Sequence, residues 1–569
     1  MTEPDHDLLA AARIWADADP DDADRAEVEK LVAAAERGDA AATQDLHGRF
    51  TAPLRFGTAG LRGPMRAGPD GLNRATVRRA AAGLGVVLAQ DRTGGEVIVG
   101  FDTRHASDRF AAEAAAVLAG TGFAARLLDA PVPTPLLAFA VRQRAARAGV
   151  MITASHNPAG DNGFKVYLGD GTGGAADGAQ IAPPLDRHIE DAIEASGPAR
   201  ALPLGDVQPV STAELREQYL AAVLPALHLD TQPRRLRIAY TPLHGVGGTV
   251  LPEALTRAGF AAPEVVSEQA APDPDFPTVR YPNPEEDGAL DLLEALVRSC
   301  DADLGLANDP DADRCAVLVR TREADGEGVR ALTGDEIGCL LADAVLRRRA
   351  GPVATTVVSS SLLPALAERA GAPAHVTLTG FKYLMRAADD LVFAYEEALG
   401  YAVTPDLVRD KDGIGAAVLL AGLADELAQE GRTLVDRLDD LAAALGVHAT
   451  AAASVRMTPA AAAAALRRLA DEPPADLAGL EVVGVGPLEA DGLRAPLEAG
   501  LVLRLDGARV VLRPSGTEPK LKAYLEVTLP PDADVRGSRT RAADRLRELR
   551  AAATELVSDA SGTADHASN

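Results

Sequence analysis

From Glu96 onward the apolar residues switch repeatedly between two periods. Glu96–Phe101 reads as a strand, Arg109–Ala119 places apolar residues at helical spacing, and Phe123–Leu128 is strand-like again. Pro135–Arg147 then reads as a helix and Gly149–Thr153 as a strand. This alternation predicts a parallel, three-layer α/β domain. A second unit begins near Ser211, where Ser211 and Glu214 have capping-box spacing for a helix through Ala226. The strand Arg237–Tyr240 follows, then the glycine-rich turn Thr241–Gly248, a helix over Val250–Ala258 and a strand Leu304–Ala307 that ends at an acidic loop. A third unit opens near Leu332 with helix Gly334–Arg347, strand Thr355–Ser359, helix Leu362–Ala370 and strands His375–Leu378 and Leu391–Tyr395.

The C-terminal pattern is different. Leu501–Leu505 and Ala508–Leu512 read as strands joined by Asp506-Gly507, a two-residue hairpin signal, so an antiparallel α+β domain is expected there. The predicted fold class is α/β: three similar mixed three-layer domains and one α+β domain. The boundaries are a helical N-terminal extension over 1–50, domains over 51–210, 211–330, 331–445 and 446–558, and a flexible tail over 559–569.

Bulk properties narrow the classes of function. A chain of 569 residues is too long for a single core. A hydrophobic content of 47% with 25% charged residues marks a globular protein. The formal charge of −26 argues against nucleic-acid or anionic-membrane surfaces, so an anionic substrate must meet local basic pockets. Cys300, Cys315 and Cys339 show no C-x-x-C pairing, which argues against a disulfide framework or a zinc cluster. An acidic N-terminus without an apolar signal core, and no uncharged apolar run of membrane-spanning length, lead to the expectation of a soluble cytoplasmic protein.

Four loops carry candidate chemistry. Thr153-Ala154-Ser155-His156-Asn157-Pro158 follows a strand, and Pro158 prevents regular structure from continuing, so Ser155 is presented rather than packed. Asn308-Asp309-Pro310-Asp311-Ala312-Asp313-Arg314 sets carboxylates at i, i+2 and i+4; on an extended segment these face one side and suit a hard divalent cation. An EF-hand fails, because Arg314 and Arg320 stand where glycine and glutamate are required. Tyr395-Glu396-Glu397-Ala398-Leu399-Gly400-Tyr401 offers paired glutamates that can accept hydrogen bonds from vicinal hydroxyls, with Thr379, Lys382 and Lys411 on nearby loops. Arg513-Pro514-Ser515-Gly516-Thr517-Glu518-Pro519-Lys520 combines cations, hydroxyls and a glycine as a phosphate cradle, without P-loop spacing. A glycine-rich loop around Gly57–Gly63 adds Arg62.

A serine, a divalent-cation site, a polyol reader and a separate phosphate cradle together suit phosphoryl transfer on a sugar phosphate. Acyl transfer is disfavoured: there is no G-x-S-x-G elbow, and His156 is not expected to turn back on the adjacent Ser155.

In this order the loops resemble the α-D-phosphohexomutase superfamily over roughly residues 50–530. The sequences G-T-A-G-L-R-G, T-P-L-H-G-V-G, D-P-D-F-P-T-V (Asp273–Val279), T-G-F-K and E-E-A-L-G-Y look most like its phosphoglucomutase-2/phosphopentomutase branch, which includes bacterial phosphoglucomutase/phosphomannomutase proteins. The resemblance implies four domains around a central cleft, one Mg²⁺ per active site, a sugar bisphosphate activator and an active-site phosphoserine. It makes Ser155 that phosphoserine and a metal ligand together with Asp309, Asp311 and Asp313. It places Lys165 and His156 near the chemistry and Arg62, Arg314, Thr379, Lys382, Glu396, Glu397 and Lys411 at the substrate. Arg513, Ser515, Gly516, Thr517 and Lys520 become the phosphate-holding loop, on a C-terminal domain expected to close over the ligand.

The implied activity is a phosphosugar mutase interconverting hexose 1- and 6-phosphates through a bisphosphate, with glucose favoured and mannose accepted. Ala398 replaces a serine found in many phosphoglucomutases, removing a hydroxyl contact of about 1 kcal/mol. A phosphopentomutase is therefore the nearest alternative, followed by a sugar-bisphosphate synthase and a catalytically silent sugar-phosphate binder. The partner is a sugar phosphate, and the chain is a monomer or homodimer.

Overall fold

The computed structural model describes residues 6–57, 60–91, 94–230, 233–323, 326–491, 493–515 and 519–560. The chain forms two compact units. One comprises the described residues up to 320 together with 404–418; the other comprises 321–403 and those from 419 onward.

In the first unit, three helices (His6–Ala18, Asp22–Glu36 and Ala40–Thr51) precede the first sheet and share a small core around Leu9, Val28, Val32 and Leu46. Side chains of Asp21 and Asp39 accept the first free backbone N–H groups of the second and third helices. The first sheet has the order Leu61–Pro64, Asp161–Leu168, Ala148–Ile152, Glu96–Phe101, Ala124–Leu128, Gln208–Val210. Its last four strands are parallel, but Asp161–Leu168 runs antiparallel to both of its neighbours. One antiparallel strand is thus set into the expected parallel arrangement, because a short turn after Pro158 folds the chain straight back on Ala148–Ile152. Alternate residues of the central strands, Val97, Val99, Val150 and Ile152, join helices Arg74–Asp91 and Ser107–Gly120 in one core. On the opposite face, a Cβ at Gly149 would stand 2.5 Å from Val141, so this glycine lets helix Thr134–Gln143 lie close on the sheet.

The second sheet of this unit places Leu304–Ala307 parallel to Ile238–Thr241 and antiparallel to Ala316–Glu323. Ser211 accepts the Glu214 N–H and starts the helix Thr212–Ala226.

In the second unit, Ala374–Thr377, Val353–Thr356 and Phe393–Glu396 are parallel and Gly400–Ala402 pairs antiparallel. The C-terminal sheet is antiparallel, with Leu501–Leu505 and Ala508–Pro514 joined at Asp506-Gly507 as expected. The last helix, Val535–Ala560, packs on it.

Candidate active site

Each candidate loop of the first unit leaves the end of a strand. The strand Ala148–Ile152 delivers Ser155, which is 1% exposed and holds φ at 54°. A left-handed serine is strained, and persists only where its surroundings fix it. Here Thr153 Oγ1 accepts the Ser155 N–H at 2.9 Å, and Arg104 donates to the carbonyls of Ser155 (2.6 Å) and Asn157 (2.5 Å).

The strand Leu304–Ala307 delivers the aspartates. They do not lie on an extended segment: Ala312 has φ 56° and its N–H closes a turn on Asp309 O. The turn, rather than strand alternation, gathers Asp309, Asp311 and Asp313, whose carboxylate oxygens lie within 4.8 Å of one another. Gly245 makes room for it, since a Cβ there would stand 2.4 Å from Pro310 backbone. Ser155 Oγ donates to Asp309 Oδ2 at 2.8 Å, so serine and acidic trio meet as the sequence implied.

Cations line this cluster. Lys165, fully buried on Asp161–Leu168, donates to Asp311 Oδ2 (2.6 Å) and Asp313 Oδ2 (3.0 Å). Lys411 Nζ is 3.3 Å from Asp313, and Arg314 Nε is 3.9 Å from Asp309. Burial and its two carboxylate neighbours push Asp309 well above the usual carboxylate range. At Asp313, burial opposes ionisation but Lys165, Lys411 and Arg314 outweigh it and hold the carboxyl low. Asp311 Oδ1 and Asp313 Oδ1 are buried and accept no hydrogen bond among the described residues. All-oxygen donors, with the oxygens that Lys165 leaves unused, fit a hard divalent cation. Arg62, on Leu61–Pro64, is half-buried; loss of hydration lowers the pKa of its guanidinium, and the charges of Asp311 and Asp313 oppose that shift.

The structure corrects the expectation for His156. Its Nδ1 lies 3.1 Å from Ser155 Oγ, because the left-handed backbone at Ser155 brings the two adjacent side chains to one side. Loss of hydration, with Arg314 and Arg62 adjacent, holds this imidazole well below its ordinary value and therefore neutral.

In the second unit, Glu396 ends the strand Phe393–Glu396 and is buried. Glu397 accepts hydroxyls from Ser359 (3.0 Å) and Thr356 (3.3 Å). Burial, then the charges of Glu396 and Asp335, raise its pKa to about 7. Thr379 follows the strand Ala374–Thr377, with its Oγ1 buried and without a hydrogen-bond partner among the described residues. Lys382 is buried on the short helix Phe381–Leu384, which packs over the strands Val353–Thr356 and Phe393–Glu396. Arg513 and Lys520 lie on the paired strands Ala508–Pro514 and Lys520–Leu529, and Ser515 N donates to Lys520 O at 2.9 Å. Gly516 and Thr517 lie outside the described residues.

Sequence reasoning missed several groups that hold the site. Thr134 donates Oγ1 to Asp311 Oδ2 at 2.7 Å and its N–H to Asp311 O. Tyr167 and Gln180 both donate to Asp410 Oδ2, next to Lys411. Arg104 follows the strand Glu96–Phe101, and a charged residue at a strand end was the signal that could have found it.

Descriptions of known domains match in chain order: "Phosphoglucomutase/phosphomannomutase, alpha/beta/alpha domain I" over residues 53–199, domain II over 217–324, domain III over 333–445 and the C-terminal domain over 454–544. A Haemophilus influenzae protein named "Probable phosphomannomutase" is 39% identical, covering 84% of this chain and 95% of that protein. A Schizosaccharomyces pombe protein named "Probable phosphoribomutase" is 35% identical, covering 90% and 92%. A crystal structure of a Thermus thermophilus protein, assigned by name to the phosphomannomutases, is 28% identical with a TM-score of 0.68, covering 89% of this chain and 99% of that one.

Proposed function

As the chain belongs to the phosphoglucomutase/phosphomannomutase family of α-D-phosphohexomutases, and is an enzyme that moves a phosphoryl group within a sugar phosphate, we propose that Ser155 is its phosphoryl carrier and a hexose 1-phosphate its substrate. Glucose 1-phosphate is the favoured substrate, with mannose 1-phosphate accepted. One observation carries this reading: a buried, strained serine donates to Asp309 at 2.8 Å, inside a trio of aspartates able to hold a cation.

Asp309, Asp311 and Asp313, with the Ser155 phosphoryl group, would hold Mg²⁺. Bound there, the ion would offset phosphoryl charge as the group moves between oxygens. Ser155 gives its phosphoryl to the free hydroxyl of the sugar 1-phosphate, forming a bisphosphate. The bisphosphate turns over, and Ser155 takes back the other phosphoryl. Arg62 and Arg314 orient phosphoryl oxygens at the carrier, while Arg513, Ser515, Gly516, Thr517 and Lys520 hold the distant phosphate. Glu396 and Glu397, with Thr379, Lys382 and Lys411, bind the sugar. A sugar bisphosphate acts as activator by phosphorylating Ser155 at the outset.

Two groups compete to move the proton of the accepting hydroxyl. Lys165 is buried among the aspartates, and His156 presents a neutral imidazole 3.1 Å from Ser155 Oγ.

A coupled assay on glucose 1-phosphate with Mg²⁺ and glucose 1,6-bisphosphate tests the proposal. Turnover in the wild type and its loss in Ser155→Ala are expected. No wild-type turnover on any hexose 1-phosphate, or full turnover in the variant, would contradict it. A pentose 1-phosphate remains the second reading, supported by Ala398 in the sugar loop and by the similarity to the S. pombe protein. The ratio of kcat/KM on ribose and glucose 1-phosphates decides between them.

A further inference from the structure

The Asp273–Val279 segment, D-P-D-F-P-T-V, is a sequence motif to which the chemistry above gives no role. Its Phe276 is 2% exposed and holds φ at 47°, a costly combination for an aromatic residue. The ring lies 5.0 Å from the guanidinium of Arg104.

Arg104 is itself 4% exposed. Besides the Ser155 and Asn157 carbonyls, it donates Nη1 to the carbonyls of Pro158 (2.7 Å) and Asp161 (3.1 Å). Its own backbone N–H is held by Asp102 Oδ1 at 2.9 Å, and the same oxygen takes the Ser107 hydroxyl at 2.6 Å. The neighbouring His105 Nε2 lies 2.7 Å from Asp275 Oδ1, so the D-P-D-F-P segment is tied down beside the stacked pair. Carbonyls of an irregular loop need partners that no sheet ladder supplies. One planar fork satisfies the loop from Ser155 to Asp161, and its apolar face is closed by one ring. A lysine ammonium has neither the flat fork nor the stacking face.

We propose that Arg104 and Phe276 form a positioning pair that fixes the Ser155 loop in its strained conformation, and that the D-P-D-F-P segment exists to supply the ring. The pair touches neither substrate nor phosphoryl group; it acts through Ser155. The proposal rests on Ser155 being the phosphoryl carrier.

The test compares wild type, Arg104→Lys and Phe276→Leu. It measures kcat, KM, thermal midpoint, and the rate at which the Ser155 peptide gains a phosphoryl group from glucose 1,6-bisphosphate. Misplacing a reacting group should lower kcat by about tenfold to a hundredfold in Arg104→Lys, with phosphoryl loading slowed in parallel and KM nearly unchanged. Phe276→Leu keeps apolar bulk but removes the π face, and should show a smaller loss of the same kind. If Arg104→Lys does not fold, Phe276→Leu decides alone through its kcat and loading rate. Loading at the wild-type rate in the folded variants, or a loss confined to thermal midpoint, overturns the positioning role. A wild type that never carries phosphate on Ser155 overturns the functional reading, and the clamp with it.

Discussion

Lys165 contacts the aspartates and His156 contacts Ser155 itself, so the roles proposed for them separate experimentally. Lys165→Gln removes an ammonium that is paired to both Asp311 and Asp313. If Lys165 moves the proton, kcat should fall by about 10²–10⁴-fold. His156→Gln should then cost far less; the reverse order of losses assigns the proton to His156. At Glu397, the folded protein retains a proton up to about pH 7, whereas an unfolded glutamate releases it near its ordinary value of about 4.3. Stability contributed by this group is therefore fully present at low pH and is lost as pH rises through about 7. Glu397→Gln should raise the melting temperature relative to wild type at about pH 8 and leave it nearly unchanged at about pH 4. An equal difference at both pH values would contradict the burial argument.

At the scale of elements, the sequence made the strand ends legible. The Ser155 loop and the acidic trio are each a short motif that follows a recognisable strand, so the chemistry of their residue types could be read directly. What escaped depended on pairing across the chain. The antiparallel strand Asp161–Leu168 was not among the predicted elements, yet its register, Met151 opposite Lys165, is what carries Lys165 to the aspartates. Arg104 lies just past the strand Glu96–Phe101 and Thr134 opens the helix Thr134–Gln143, and the fold brings them to Ser155 and Asp311. The His156 contact was missed because adjacent side chains diverge in an extended backbone, whereas the left-handed Ser155 makes them converge. The turn that gathers the aspartates has its own vulnerability at Gly245. Gly245→Ala forces a Cβ against Pro310 and should cost about 1–3 kcal/mol in denaturant unfolding. It should also raise the Mg²⁺ concentration needed for half-maximal activity; an unchanged Mg²⁺ requirement would separate that packing from the metal site.

Across the whole molecule the formal charge is −26, so an anionic ligand depends on local cations such as Lys165, Lys411 and Arg314 beside the aspartates. Among the described residues no helix is long and apolar enough to cross a membrane. Within the second unit, the C-terminal sheet is anchored through Glu526, which is 3% exposed. It accepts from Arg509 Nε (2.6 Å), Ser360 Oγ (2.9 Å) and Ser361 N (2.7 Å). Ser359, whose carbonyl accepts from Arg509, also donates to Glu397, so the anchor is continuous with the sugar loop. Burial opposes the Glu526 charge, but His448 and Arg509 outweigh it and lower its pKa to about 2. Its stabilising effect is present above the ordinary glutamate pKa and is lost as pH falls through about 2. Glu526→Gln leaves Arg509 without its charge partner and should cost about 3 kcal/mol in urea unfolding. It should raise KM for the sugar phosphate as well; an unchanged KM would limit the anchor to stability.

The central claim is that Ser155 lends and recovers the phosphoryl group. Peptide mass mapping after brief exposure to glucose 1,6-bisphosphate, and again after adding glucose 6-phosphate, tests it most directly. One phosphoryl group is expected on the Ser155 peptide, removed by the sugar phosphate and absent throughout in Ser155→Ala. Phosphate on a different residue, or label on Ser155 that the sugar phosphate cannot discharge while turnover continues, would contradict it.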